Sequence, residues 1–224
     1  MFESVTLKDI DKFQAEVIRK PTGTRPTLWR IKKDDKSAII KDFSSNGFLY
    51  RNTAGRFLVW RESIAYKKLV GLRGIPKFYR TIDGIAFLIE DIQGKDIEIY
   101  CTEKKLDDFF FTELKKVVDN FHEYGIAHCD LKRSPNIIVG NDGRPYIVDW
   151  SASISKKGFH IFPLNYVYQR FVRDDLNAII KLRLKYCPEK VSVEDKRKYY
   201  HRSRFEKIIR AIRDKARELL KRVV

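Results

Sequence analysis

The sequence is poor in the residues that carry metal and redox chemistry, with three cysteines, four histidines and one methionine. Cys101, Cys129 and Cys187 are odd in number and lack C-x-x-C spacing, which excludes a disulfide framework and a zinc site and reads as reduced thiols. His122, His160 and His201 have no ligand spacing and read as packed or surface residues. No apolar run approaches the roughly 18 residues of a membrane span. The opening stretch "MFESVTLKDIDKFQAEVIRKP" lacks the unbroken apolar core of a signal peptide, so a cytoplasmic location is expected. Glycine is equally sparse where it could cradle phosphate, since "KPTGTRPTLW" holds Gly23 alone. No internal repeat or low-complexity tract is visible.

Positive charge is abundant. The net charge is +16, and residues 181–224 carry sixteen Lys/Arg against six Asp/Glu. Such an excess predicts attraction to polyanions, such as nucleotides, nucleic acid, a phosphorylated glycolipid or an anionic membrane face, without choosing among them. At 224 residues with 43% hydrophobic content, the chain can form one domain of two packed lobes. We expect a single domain over 1–224, with an N-lobe of about 1–92 and a C-lobe of about 93–224.

"TLWRIKKDDKSAIIKDF" predicts two strands around a turn at Asp34 and Asp35, and "PKFYRTIDGIAFLIEDI" a second hairpin turning at Asp83 and Gly84. Between them, Leu58, Glu62, Ala65, Tyr66 and Leu69 fall at three-and-four spacing, predicting a helix closed by Gly71. Past Gly94 the period turns helical: "LDDFFFTELKKVVDNFHEYGI" predicts a helix with a stop at Gly125. A loop over 128–135, a strand from Asn136 to Val139, a turn at 141–143 and a strand from Tyr146 to Val148 follow, and the chain after Asp174 reads as helical. Strands and one helix followed by helices give an α+β, two-lobed class with a cleft between the lobes.

The stretch "AHCDLKRSPNIIVGNDGRPYIVDWSAS" gathers two acids, an amide and a lysine at short offsets. Phosphoryl transfer from ATP needs metal ions on phosphate oxygens, a lysine on the phosphates and a carboxylate to orient or deprotonate the acceptor hydroxyl. Asp130 on its loop is the candidate base, and Lys132 could reach the transferred phosphate. Asn136 and Asp149, brought together by the intervening hairpin, are candidate ligands for Mg²⁺, a hard cation. In the other lobe Lys41 ends the strand "AIIK", and Glu62 on the next helix could hold its ammonium over the phosphates. The adenine would sit against the segment Glu90 to Ile92.

These residues resemble the protein-kinase signature set: third-strand lysine, helix glutamate, His-x-Asp catalytic loop with its asparagine, and metal-binding aspartate. The resemblance spans roughly Thr27 to Ser153. Together with "RDDLNAIIKLRLKYCPEKVS", the set is most similar to small bacterial kinases of the lipopolysaccharide core (Kdo and heptose) and to RIO-type kinases. It implies a protein-kinase-like fold with a reduced helical C-lobe, and ATP and Mg²⁺ as cofactors. The implied acceptor is a hydroxyl of a lipopolysaccharide-core-type sugar, with a protein Ser/Thr as the alternative. It also implies that His128 orients the catalytic loop against the metal aspartate's turn, and that Asp175 bonds that loop's backbone.

The pattern departs from ordinary protein kinases in four places. The glycine-rich loop is missing, Asn136 comes one residue later, Trp150-Ser151 replaces Phe-Gly, and no Ala-Pro-Glu segment follows Asp149. The last departure favours a small or lipid-linked hydroxyl over a peptide.

Plainer readings stand beside these. Asp174 and Asp175 could be helix N-terminal residues favoured by the macrodipole, and Cys129 a small buried residue. Phe48, Leu49, Tyr50, Phe57 and Trp60 are expected in the lobe core, with a membrane patch as the alternative. "FEKIIRAIRDKARELLKRVV" predicts an amphipathic terminal helix docked on the C-lobe, whose basic face could meet anionic lipid at the inner membrane face. Nucleic acid is not the expected partner. A non-catalytic nucleotide-binding module is the rival from another class.

Overall fold

The computed structural model describes residues 2–159, 161–162 and 164–200. The N-terminal part is built on one antiparallel sheet of β1 (Gln14–Arg19), β2 (Thr27–Lys33), β3 (Lys36–Asp42), β4 (Phe78–Ile82) and β5 (Ala86–Glu90), in the order β1-β2-β3-β5-β4. Both expected hairpins form. Lys33 faces Lys36 across the first turn, where Asp34 takes φ +53°. Asp83 and Gly84 take φ +49° and +66°, a primed turn whose twist matches the flanking strands.

Strand β3 alternates faces, with Ala38 and Ile40 fully buried on one side and Lys41 on the other. That first side is covered by the chain's own beginning. Two 3₁₀ turns, Phe2–Ser4 and Leu7–Lys12, bring Phe2, Val5 and Ile10 onto Ile31, Ala38, Ile40 and Leu88. This cover is not legible in the sequence, because three isolated apolar residues have no period.

The opposite face packs on a helical run through α1 (Phe48–Tyr50), a π-helical stretch (Arg51–Gly55) and α2 (Arg56–Lys68). Val59, Glu62, Ala65 and Tyr66 line its buried side. The expected core position of the neighbouring aromatics is corrected here. Phe57 and Trp60 are 52% and 58% exposed, because they project from the side of α2 opposite Glu62 and Tyr66, and Phe48 and Leu49, on the short α1, are 75% and 76% exposed. Tyr50 alone of the five packs partly against the core.

The C-terminal part begins with β6 (Gly94–Asp96), α3 (Ile97–Glu103) and α4 (Asp108–Glu123). The Asp107 carboxylate caps α4 by accepting from the Phe110 N–H at 2.9 Å. Phe110, Phe111, Leu114, Val118 and Phe121 are buried on one side of α4, each contributing roughly 1.5–3 kcal/mol of apolar burial. Gly125 at φ +68° ends the turn after α4 and sends the chain into β7 (Ile126–Ala127). β8 (Ile137–Gly140) and β9 (Pro145–Ile147) form the expected hairpin, β8 also pairs with β6, and β10 (Ile154–Ser155) pairs with β7.

Helix α5 (Leu164–Tyr186) starts well before Asp174, which overturns the expected helix start there and the macrodipole reading of Asp174 and Asp175. The aromatic and β-branched stretch "NYVYQRFV" hides the helical period. Tyr168, Asp175, Ala178, Ile179 and Leu182 nevertheless share one buried side. α6 (Val193–Tyr200) follows. The amphipathic helix expected from residue 205 onward, and His201, lie outside the described residues, as does His160.

The result is an α+β fold of two lobes. A single cluster of buried side chains runs from Phe43, Val59, Tyr66 and Phe87 to Phe121, Ile137, Trp150 and Leu182, joining the lobes beneath the cleft. Among the described residues, no helix is long and apolar enough to cross a membrane.

Candidate active site

The cleft is organised around one ammonium group. Lys41 Nζ, delivered by β3, lies 2.7 Å from Glu62 Oε2 on α2 and 3.0 Å from Asp149 Oδ1 beyond β9. The second Glu62 oxygen accepts from the Trp150 N–H at 3.2 Å. Burial opposes the Lys41 charge, and the carboxylates of Glu62 and Asp149 outweigh it, raising the Lys41 pKa. Burial dominates at Glu62, where Lys41 offsets it only in part and the carboxyl is pushed up to about 7. At Asp149 burial is overcome by Lys41, with a hydrogen bond from Ser151, and the carboxyl is held well below the usual carboxylate range.

Asp149 itself has φ +63° and ψ +71°, a left-handed conformation rare outside glycine. That turn lets Asp149 face the cleft while the next residue, Trp150, enters the core. Trp150 is fully buried, edge-on to Phe121 at 5.0 Å and to His128 at 4.7 Å between ring centroids.

The loop after β7 is held from below. Asp175, 1% exposed, accepts from the His128 N–H at 2.7 Å and from the Cys129 N–H at 2.9 Å, and lies 3.1 Å from His122 Nε2. The bond inferred for Asp175 is therefore present, although from the middle of α5. Those two bonds stabilise Cys129 at φ +70°, another left-handed residue, immediately before Asp130. His128 is fully buried between this loop and the Asp149 turn. Its Nε2 is 3.1 Å from Val148 O and its Nδ1 accepts from the Asp130 N–H at 3.3 Å, a pairing that needs the neutral ring. Burial lowers its pKa in the same sense, so it serves as a brace. Cys129 is partly buried, and burial with the nearby Asp175 charge pushes its thiol up to about 12.

Asn136 is buried and closes a 3₁₀ turn, Ser134–Asn136, that takes up the extra residue in the loop. Its Nδ2 donates to Asp130 O at 3.0 Å, which leaves Oδ1 as the atom able to meet a cation. Asn136 and Asp149 line a common cavity of about 390 Å³ with Lys41, Phe43 and Leu58. An ionised carboxylate and an amide oxygen suit a hard divalent ion that takes its remaining ligands from substrate phosphates and water. No cluster of three or more His, Cys, Asp or Glu side chains is placed to hold a metal by itself among the described residues.

The structure thus brings Lys41, Glu62, Asn136 and Asp149 together, with Asp130 beside Asn136. It does not bring Lys132 to the cavity: that side chain is exposed, and its neighbour Arg133 lines the wall instead, 3.5 Å from Asp130. Glu90 and Ile92 lie at the lobe junction, outside this cavity. The Glu90 carboxylate accepts from the Lys77 N–H at 3.0 Å, and Asp91 fixes the junction by accepting from Arg30 Nε at 2.8 Å and Gln93 Nε2 at 2.9 Å.

Sequence reasoning missed Arg19, Arg25, Arg133 and Arg61. Arg61 donates from α2 to the carbonyls of Ala152 and Ser153 at 2.8–3.0 Å, tying the helix that carries Glu62 to the chain beyond Asp149. Its position beside Glu62 was the available signal. For Arg19 and Arg25 it was the arginines flanking the lone Gly23.

No protein-family profile matches the chain. An alignment 92 positions long, covering 35% of the chain, is 28% identical to a Dictyostelium discoideum protein described as "Probable serine/threonine-protein kinase", and spans 22% of that protein's length. The match supports a kinase-like relationship.

Proposed function

We propose that this protein is a kinase that transfers the γ-phosphate of ATP to an alcohol group, using Mg²⁺. The observation that carries the reading is the Lys41–Glu62–Asp149 network, with Asn136 on the same cavity. In this mechanism Lys41, held by Glu62, binds the phosphates, and Asp130 orients the acceptor hydroxyl and takes its proton. Asn136 Oδ1 and the Asp149 carboxylate would hold the cation, which neutralises charge on the phosphate oxygens when bound. Asp175 and His128 keep the Asp130 loop in register with the Asp149 turn. The backbone from Glu90 to Ile92 would receive the adenine.

The acceptor we favour is a hydroxyl of an anionic, lipopolysaccharide-core-type sugar, phosphorylated at the cytoplasmic face of a membrane. Two observations support it. Between Asp149 and α5 the described residues form two 3₁₀ turns and the two-residue strand β10, leaving little room for a peptide-docking platform, and Arg133 adds positive charge beside Asp130. A Ser/Thr side chain of a protein is the second reading, favoured by the similarity to the Dictyostelium probable serine/threonine-protein kinase.

Incubation with Mg²⁺ and γ-labelled ATP, with either a cell-envelope glycolipid extract or a protein extract, separates the two, with Asp130→Ala as control. Asp130-dependent label in glycolipid supports the sugar acceptor, and label confined to protein supports the second reading. Nucleotide binding without transfer to either extract would favour a non-catalytic module.

A further inference from the structure

The turn between β1 and β2 stands where a phosphate-cradling loop would be, but the N–H groups at both of its ends are already engaged. The Thr22 N–H donates to Arg25 O at 3.3 Å and the Arg25 N–H to Thr22 O at 2.8 Å, closing a tight bridge around Gly23 and Thr24. Gly23 takes φ +53°, and its carbonyl and that of Arg25 are held from below by Asn46 Nδ2 at 2.9 and 3.1 Å. With the Thr22 and Arg25 N–H groups spent inside the turn, only those of Gly23 and Thr24 are left as backbone donors to an anion.

Side chains fill the same space. Arg19, Thr24 and Arg25 line the cavity opposite Asn136 and Asp149. A register shift between Val17 and Arg19 interrupts the alternation of β1 just where Arg19 turns to the cleft. Arg19 Nε is buried without a hydrogen-bond partner, and neither Arg19 nor Arg25 has an ion-pair partner among the described residues. Of the side chains lining the cavity, Arg19, Arg25, Lys41 and Arg133 are cationic and Asp149 anionic; Glu62 stands behind Lys41 and Asp130 beside Arg133, and the two arginines at 19 and 25 keep no carboxylate of their own among the described residues. An unmatched buried guanidinium donor costs stability unless a ligand answers it.

We infer that Arg19 and Arg25 form a guanidinium clamp that binds the polyphosphate of the nucleotide in place of backbone N–H groups. The inference rests on the kinase reading and assigns a phosphate-binding role to two residues outside the resembled signature set. Each guanidinium offers a planar fork of donors to phosphate oxygens, which a lysine cannot reproduce. Burial disfavours the charge of Arg19 and the proximity of Arg25 adds to the penalty, with Asp149 opposing both; a bound polyphosphate would relieve it.

Calorimetric titration with ATP, inorganic tripolyphosphate and adenosine, each with Mg²⁺, tests the clamp on wild type, Arg19→Ala, Arg25→Ala and the Arg→Lys counterparts. Each alanine variant is expected to lose about tenfold or more in affinity for ATP and tripolyphosphate, and the lysine variants to recover only part of it. Adenosine binding and the unfolding temperature should stay unchanged, which shows that the fold and the adenine end are intact. Wild-type-like binding of ATP and tripolyphosphate by both alanine variants would overturn the clamp and leave the kinase reading standing. Failure of the wild type to bind either ligand would overturn the kinase reading, and the clamp with it.

Discussion

Lys41 Nζ sits 2.7 Å from Glu62 and 3.0 Å from Asp149, so one ammonium group joins the sheet, the helix α2 and the turn that leads out of β9. The lobes are thereby coupled through a charge that also faces the cavity. Replacing Lys41 by Met keeps the stem and removes the charge. Labelled-phosphate transfer is expected to fall about 100-fold or more, as when a preorganised electrostatic group is deleted from a reacting centre.

The Glu62 carboxyl gives the network a signature in stability against pH. Its folded pKa, pushed up to about 7 mainly by burial, lies above the ordinary value of 4.5. Between those values the folded form holds a proton that the unfolded chain has released, so this group's contribution falls as pH rises from about 5 to 7. His128, whose pKa is lowered by burial, acts in the opposite sense just below its ordinary 6.5. The difference between wild type and Glu62→Gln in urea unfolding isolates the carboxyl. The difference should shift between pH 5 and 8 in the direction of relative wild-type loss at high pH; a pH-independent difference would contradict the assignment.

Asp175 supports three partners from a fully enclosed position. Asp175→Ala leaves the His128 and Cys129 N–H groups buried and unpaired, a loss of about 3 kcal/mol. For a chain of this size the thermal midpoint should drop by roughly 6–12 °C. Scanning calorimetry that shows no drop would mean that the loop does not depend on α5.

Cys129 adjoins Asp130, yet its thiol is pushed up to about 12. Alkylation by iodoacetamide at pH 8, followed by peptide mass mapping, should label Cys129 at least about 100-fold more slowly in the folded protein than in urea. Rapid labelling in the folded state would contradict the packing described around it.

The sequence announced the elements whose patterns are local. The hairpins at Asp34 and Asp83 carry turn residues between apolar runs, and α2 and α4 carry a clear period with glycine stops. Strand β1 was missed because "QAEVIR" is exposed along most of its length and shows no alternation. The start of α5 was missed because aromatic and β-branched residues there favour strand on propensity alone. The exposure of Phe57 and Trp60 depends on which side of α2 meets the sheet, and that is decided by Glu62 reaching Lys41.

The same division holds in the site. Lys41, Glu62, Asp130, Asn136, Asp149 and Asp175 are legible in the sequence because their order and spacing match a known pattern. Arg19 and Arg25 belong to no such pattern: a register shift in β1 precedes Arg19, and the bridge closed by Thr22 and Arg25 shapes the turn between them.

The most direct test of the account measures ATP binding and labelled-phosphate transfer together, with and without Mg²⁺, in wild type, Asp130→Asn and Asp149→Asn. Asp130→Asn should bind ATP with Mg²⁺ as tightly as wild type but transfer no phosphate. Asp149→Asn should lose both the Mg²⁺ dependence of binding and transfer. Undiminished transfer by Asp130→Asn, or wild-type ATP binding indifferent to Mg²⁺, would contradict the account.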